Sequence, residues 1–225
     1  VALFDFHMHT FLSDGELLPA ELARRCIVNG YTAMAITDHA SSSNVRFLAE
    51  SVVREAELLH RHWGFTVLPG VELTHVPASA IDEVAREAKF VGVKLVVVHG
   101  ETPVEPVEPG TNRAAIESAH VDILAHPGFL TAEEARLARE RGVFLEITSR
   151  RGHSLTNGHV ANVARAAGAL LLVNSDAHSP GDIHTEAFAK RVAAGAGLTP
   201  EEAHAALDTN PRTLLAKLGI QLQNA

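Results

Sequence analysis

Short apolar runs alternate with longer amphipathic stretches along the chain. Residues 2–7, 33–37, 66–71, 94–99, 122–125, 143–148 and 169–174 are rich in Val, Ile, Leu and Phe with almost no polar interior. Such runs predict parallel strands buried on both faces. Between them, 19–29, 45–63, 81–91, 111–119, 131–141 and 159–167 carry helical periodicity, and three more helices are expected at 184–194, 200–207 and 211–218. Pro19 suits a first helical turn and Gly30 the position past a helix end. Thr131 with Glu134 predicts a capping box on a helix closed by Gly142. The Pro/Glu segment 102–110 reads as a loop, too short for a linker. About seven β/α units imply an α/β fold, either a closed barrel or an open doubly wound sheet, in one domain spanning 1–225.

Composition narrows the class. The chain has 225 residues, 46% hydrophobic and 20% charged, with a formal charge of −8, enough apolar material for a core and too little charge for disorder. No run of roughly 18 apolar residues predicts a membrane span. The opening Val1-Ala2-Leu3-Phe4-Asp5-Phe6 reads as a strand without a basic leader, so no secretion signal is expected. The single cysteine, Cys26, excludes an intramolecular disulfide framework and fits a reducing, cytoplasmic setting; its place on an apolar helical stripe makes it a core thiol. The acidic balance argues against a long nucleic-acid partner, which needs basic surface.

Fourteen histidines are the unusual entry in this composition. His7 and His9 close the first predicted strand, Asp38 and His39 follow the second, and Glu72 follows the third. His99 ends the fourth, His126 follows the fifth, and Asp176 and His178 follow the seventh. In a parallel barrel all these strand ends open on one face, so the residues would converge; an open sheet would spread them along a line. His7 and His9, i and i+2 on a strand, share a face about 7 Å apart along the backbone, as does Asp5. Asp176 and His178 have the same relation if the chain stays extended past Asn174. Mixed imidazole and carboxylate donors suit Zn²⁺, Fe²⁺ or Mn²⁺, and the lack of thiolates argues against a structural zinc knuckle. His60, His62 and His204 fall within helices and read as solvated or packed.

The ordered set Asp5-Phe6-His7-Met8-His9-Thr10, Ser13-Asp14-Gly15, Ile36-Thr37-Asp38-His39, Gly70-Val71-Glu72, Val98-His99-Gly100, Ala125-His126-Pro127-Gly128 and Asn174-Ser175-Asp176-Ala177-His178 resembles the PHP (polymerase and histidinol phosphatase) family. The resemblance covers essentially the whole chain and implies a distorted (β/α)7 TIM-like barrel holding two or three divalent metals. It implies that His7, His9, Glu72 and Asp176 hold one metal, that Glu72 bridges to a second with His99 and His126, and that Asp14, His39 and His178 hold a third. Position 14 is histidine in some relatives. Asp5 is expected to accept from a ligand imidazole N–H, and Asp38 either supports the ligands or bonds its own loop.

The implied activity is hydrolysis of a small phosphomonoester by a metal-activated hydroxide, as in histidinol-phosphate phosphatases, with a small phosphorylated metabolite as partner. Arg150, Arg151 and His153, just after the sixth strand, are candidates to clamp phosphate oxygens. The alternatives are a nuclease-like phosphodiesterase and a non-catalytic scaffold of the kind some PHP-fold proteins provide in RNA-processing complexes.

Overall fold

The computed structural model describes residues 2–222; Val1, the first residue of the apolar opening, and 223–225 lie outside the described residues. The described residues form eight parallel strands, joined by helices except between the second and third. They are β1 (Leu3–Asp5), β2 (Tyr31–Ile36), β3 (His39–Ala40), β4 (Thr66–Leu73), β5 (Leu95–His99), β6 (Ile123–Ala125), β7 (Phe144–Thr148) and β8 (Leu171–Asn174). The sheet order is β1-β2-β4-β5-β6-β7-β8, with the two-residue β3 paired to β4. Seven principal strands thus form the distorted, nearly closed barrel expected from the sequence. The helices are α1 (Pro19–Val28), α2 (Val45–Trp63), α3 (Ile81–Val91), α4 (Thr111–Glu117), α5 (Ala132–Arg141), α6 (Asn157–Ala167), α7 (Glu186–Gly195), α8 (Pro200–His204) and α9 (Asn210–Lys217). Helices α2 and α3 match their predicted bounds. The predicted helix 200–207 instead passes from α8 into a π-turn, Ala205–Thr209.

Local chemistry accounts for the boundaries. Thr131 caps α5 by the reciprocal bonds with Glu134, and Gly142 ends it in the left-handed region, where glycine carries no Cβ penalty. Alternation along the strands sorts their side chains into two cores. Ala33, Ala35, Leu68, Leu95, Val97, Ile123, Phe144 and Leu172 fill the barrel, whose floor is closed by Leu214 and Leu215 of α9. The opposite parity, including Met34, Ile36, Val71, Val96, Val98, Leu145 and Ile147, packs against the helices. Cys26 is buried in that outer core, 3.9 Å from the Met8 sulfur.

The barrel closes between β1 and β8 through a seam beyond the ends of the two strands. Met8 and Ala177 form an isolated parallel bridge. The His9 amide donates to the Ala177 carbonyl at 2.8 Å and the Asp176 amide to the His7 carbonyl at 2.9 Å. Asn174 Oδ1 accepts from the Phe6 amide, and the Asp5 carboxylate accepts from the Ser175 amide at 3.0 Å. The backbone that shuts the barrel is therefore the backbone that carries His7, His9 and Asp176. Among the described residues no helix is long and apolar enough to cross a membrane.

Candidate metal centre

Because all strands are parallel, their carboxyl ends share one mouth. There the structure gathers His7, His9, Asp14, His39, Glu72, His99, His126, Asp176 and His178. Their donor atoms fall into groups that could each hold an ion: His7, His9 and Asp176; His7, Glu72 and His126; His99, His126 and His153; and His9, Asp14, His39 and His178. Within a group every donor lies within 4.8 Å of the others. Glu72 is central. Its Oε1 is 3.3 Å from His7 Nε2 and 3.5 Å from His126 Nε2, while Oε2 is 2.6 Å from His39 Nδ1 and 3.7 Å from His9 Nε2. Asp176 Oδ1 lies 3.2 Å from His9 Nε2 and 3.8 Å from His7 Nε2.

The donor set fits divalent cations. His7, His9, Glu72 and His126 are all buried. Yet His7 Nε2, both ring nitrogens of His9, Glu72 Oε1, His126 Nδ1 and Asp176 Oδ1 make no hydrogen bond. Buried polar atoms without partners are costly, and here they converge. The carboxylates favour protons on the neighbouring imidazoles. Burial pushes the His7 pKa down, but Glu146, Asp176 and Glu72 outweigh it and hold it well above the ordinary value. His39 is raised in the same way to about 10, against burial, by Glu72 and Asp14. Burial pushes Asp176 up, but His7 and His9 outweigh it and hold the carboxyl well below the ordinary carboxylate range, so it is anionic. A cation bound by these nitrogens would displace protons from His7 and His39.

Tertiary structure corrects the expectations for Asp5 and for Asp176 with His178, and decides between the two alternatives open for Asp38. Asp5 accepts from the backbone amides of His7 and Ser175, at 3.2 and 3.0 Å, and from no imidazole. The strand alternation slips here: Phe4 and Phe6 both pack inside the barrel, whereas Met8 packs outside. Asp5, on the parity opposite to Phe4 and Phe6, lies in the seam, where burial raises its pKa to about 7 against the amide hydrogen bonds. Asp176 and His178 are not related by strand alternation, because β8 ends at Asn174 and Asp176 is left-handed, with φ 54°. The resulting turn sends Asp176 towards His7 and His9, and His178 to within 3.2 Å of Asp14. Asp38 is bonded not to its own loop but to the one after β1, accepting from the Thr10 amide and hydroxyl and from the Ser13 hydroxyl at 2.8, 2.7 and 2.6 Å. It thus shapes the segment that presents Asp14.

The imidazole-orienting carboxylate is Glu146, which the sequence reading missed. Wholly buried in β7, it accepts from His7 Nδ1 at 2.7 Å and from Asn174 Nδ2 at 2.9 Å. This leaves His7 Nε2 as the free donor. Its signal was an acid inside an otherwise apolar strand, Phe144-Leu145-Glu146-Ile147. Glu146→Gln is expected to weaken divalent-metal affinity about 10–100-fold, the range for groups that orient a ligand. Calorimetric titration checks this; an affinity within threefold of wild type would mean that His7 is oriented by something else.

The mouth opens as a cleft of about 170 Å³ between Asp14, His39, His75, Glu105, Arg150 and His178. Arg150 lines it, half-buried, 3.7 Å from Asp182 Oδ2. Arg151 is exposed and does not line the cleft. His153 is buried beside His126, the ring centroids 4.2 Å apart, which places it with candidate metal donors as well as at the cleft. His75, a loop histidine that the sequence left free to approach the pocket, reaches the cleft, and so does Glu105, which was not among the sequence candidates. A larger hollow of about 590 Å³, lined by Val53, Val67, Lys94 and Ile220 among others, lies near the amino-terminal ends of β4 and β5, and no candidate ligand reaches it.

A family model described as RNase P subunit p30 matches residues 2–219. The chain belongs to that family. It is a PHP/TIM-barrel family, so the resemblance seen in the sequence holds at that level. An uncharacterized protein of Methanocaldococcus jannaschii, MJ1295, is 51% identical over 216 residues, covering 96% of this chain and 99% of that protein. Ribonuclease P protein component 3 of Methanosarcina mazei is 28% identical, over 95% of this chain and 89% of its own. A probable phosphatase of Caldanaerobacter subterraneus is 29% identical, over 78% and 76%. Among solved structures, the putative histidinol phosphatase of Listeria monocytogenes superposes with a TM-score of 0.58 at 13% identity, covering 81% of this chain and 98% of that one. That likeness is one of fold.

Proposed function

We propose that this chain is a metal-dependent phosphoesterase acting on a small phosphomonoester, with His7, His9, Glu72 and Asp176 holding one ion, Glu72, His99 and His126 a second, and Asp14, His39 and His178 a third. The carrying observation is the convergence of unpartnered buried nitrogen and oxygen donors on one mouth. The phosphatase named among the relatives supports the reaction class. Bound divalent ions supply Lewis-acid stabilisation of a phosphoryl group and an activated water at neutral pH. Which of Zn²⁺, Fe²⁺ and Mn²⁺ is used depends on availability as much as on these donors.

The chain's own groups do the rest. Glu72 and Asp176 keep the buried site anionic, so that cations are drawn into it. Glu146 fixes His7. Arg150 stands at the cleft, where its guanidinium can hold non-bridging phosphate oxygens. The cleft, about 170 Å³, is smaller than the roughly 300–1,000 Å³ typical of ligand pockets, so it admits a phosphoryl group and leaves most of a larger leaving group outside.

A second reading, a phosphodiesterase acting on RNA or a role within an RNA-processing complex, is favoured by membership of the RNase P subunit p30 family. Metal-loaded protein assayed on p-nitrophenyl phosphate and on its bis-ester separates the readings. Monoester hydrolysis faster than diester hydrolysis supports the first; preference for the bis-ester supports the second; silence on both removes the general phosphoesterase. In the same assay Arg150→Ala is expected to raise KM about tenfold or more with metal content intact, the cost of one charge-assisted hydrogen bond. Equal inhibition of wild type and variant by inorganic phosphate would remove Arg150 as a clamp.

A further inference from the structure

The loop 102–110 hangs over the His99, His126 and His153 group, and its ends are fixed. Glu101 Oε1 accepts from the Gly110 and Asn112 amides at 3.0 and 2.9 Å. The Thr102 hydroxyl is 2.8 Å from His153 Nδ1, and the Ala78 amide donates to Glu108 at 2.7 Å. From the middle of this strap the Glu105 side chain turns into the mouth. Its Oε2 lies 3.1 Å from His99 Nε2 and 3.2 Å from His75 Nε2, and its Oε1 lies 3.4 Å from His153 Nε2.

The separations from Glu105 to His99 and His153 fall in the range found between ligands of one ion. Metal–donor distances of about 2.0–2.2 Å, at angles between a right angle and a tetrahedral one, place neighbouring donors about 3.0–3.5 Å apart. The tautomer of His99 points the same way. Its Nδ1 lies 3.1 Å from the Gly100 carbonyl oxygen, which can only accept, so Nδ1 carries a proton, and in the neutral ring Nε2 turns a lone pair towards Glu105. A cation between that lone pair and the carboxylate oxygen, 3.1 Å away, would satisfy both.

We propose that Glu105 is a fourth protein ligand of the ion held by His99, His126 and His153, and that the loop 102–110 is a strap fastened by that ion. This rests on the metal-centre reading and extends it. It adds a carboxylate and His153 to the second site, and it makes loop order depend on cation occupancy. The competing arrangement is a simple ion pair between Glu105 and protonated imidazoles, which an incoming cation would break.

The two arrangements predict opposite loop behaviour. Chelator-treated wild type and Glu105→Gln are titrated with Mn²⁺ by calorimetry, and amide hydrogen exchange is followed over 102–110 with and without Mn²⁺. The expected result is that Glu105→Gln weakens one Mn²⁺ binding event at least about tenfold. Mn²⁺ should also slow exchange across 102–110 in wild type but not in the variant. Loop exchange that speeds up on Mn²⁺ addition, or superimposable isotherms for the two proteins, overturns the assignment while leaving the metal centre standing. Failure of wild type to take up Mn²⁺ at all overturns both. The side chain is about one-third exposed on a loop, and circular dichroism of the variant confirms its fold before titration.

Discussion

Replacing Glu72 by Gln is expected to remove at least one equivalent of bound divalent metal and to lower phosphoesterase activity by about 100-fold or more. The substitution is nearly isosteric, and Thr74 Oγ1, 3.1 Å from Oε2, still has an acceptor if the amide oxygen takes that place. What disappears is the negative charge and one oxygen donor. That oxygen matters because the two Glu72 oxygens face four imidazoles: His7 and His126 on one side, His9 and His39 on the other. An amide nitrogen there has no lone pair for a cation and no charge to offset it. Groups one step further from the ion already cost about 10–100-fold when changed, so a shared ligand should cost at least the upper figure. Inductively coupled plasma mass spectrometry and kcat/KM on the same preparation decide the matter. Unchanged metal stoichiometry with activity within threefold of wild type would contradict Glu72 as the bridge.

Gly128→Ala is expected to destabilise the fold by about 3–5 kcal/mol, near the upper end for single substitutions. Gly128 has φ 63°, and a Cβ built there would lie 1.8 Å from the Glu101 carbonyl oxygen, a contact that only backbone movement can relieve. The strained left-handed conformation contributes about 1 kcal/mol or more for a residue with a side chain, and the overlap contributes the rest. The backbone that would have to move joins two ligand-bearing segments. His126 is two residues before Gly128, His99 two residues before Glu101, and the Asn112 side chain ties them by donating to the Pro127 carbonyl at 2.8 Å. Metal affinity should therefore fall together with the urea midpoint. A loss below about 1 kcal/mol would mean that the β5 and β6 loops can separate at little cost.

The histidine and carboxylate positions were legible because the fold is periodic. Near-continuous apolar runs told of parallel strands, and parallel strands told that the residues at their ends share a mouth. His7, His9, His39, Glu72, His99, His126 and Asp176 were found by that rule. Glu146 escaped it because it lies within a strand: its inward parity matches Phe144, but a single acid in an apolar run does not reveal what it faces. Glu105 escaped for a different reason. It sits in a Pro/Glu loop whose path has no period, so its approach to His99, His75 and His153 depends on anchors at Glu101, Thr102 and Glu108.

By itself, then, the sequence determined the alternation of strands and helices, the α/β class and the set of side chains carried at strand ends, since hydrophobic periodicity and strand polarity are local properties repeated along the chain; periodicity left a closed barrel and an open sheet both possible. Tertiary structure alone decided how those side chains are grouped. Asp5 lies in the seam on the parity opposite to Phe4 and Phe6, the left-handed Asp176 ends its strand relation to His178, and Glu146 meets His7 across 139 positions of sequence. Such pairings are set by where the barrel closes, and closure is a property of all the strands together.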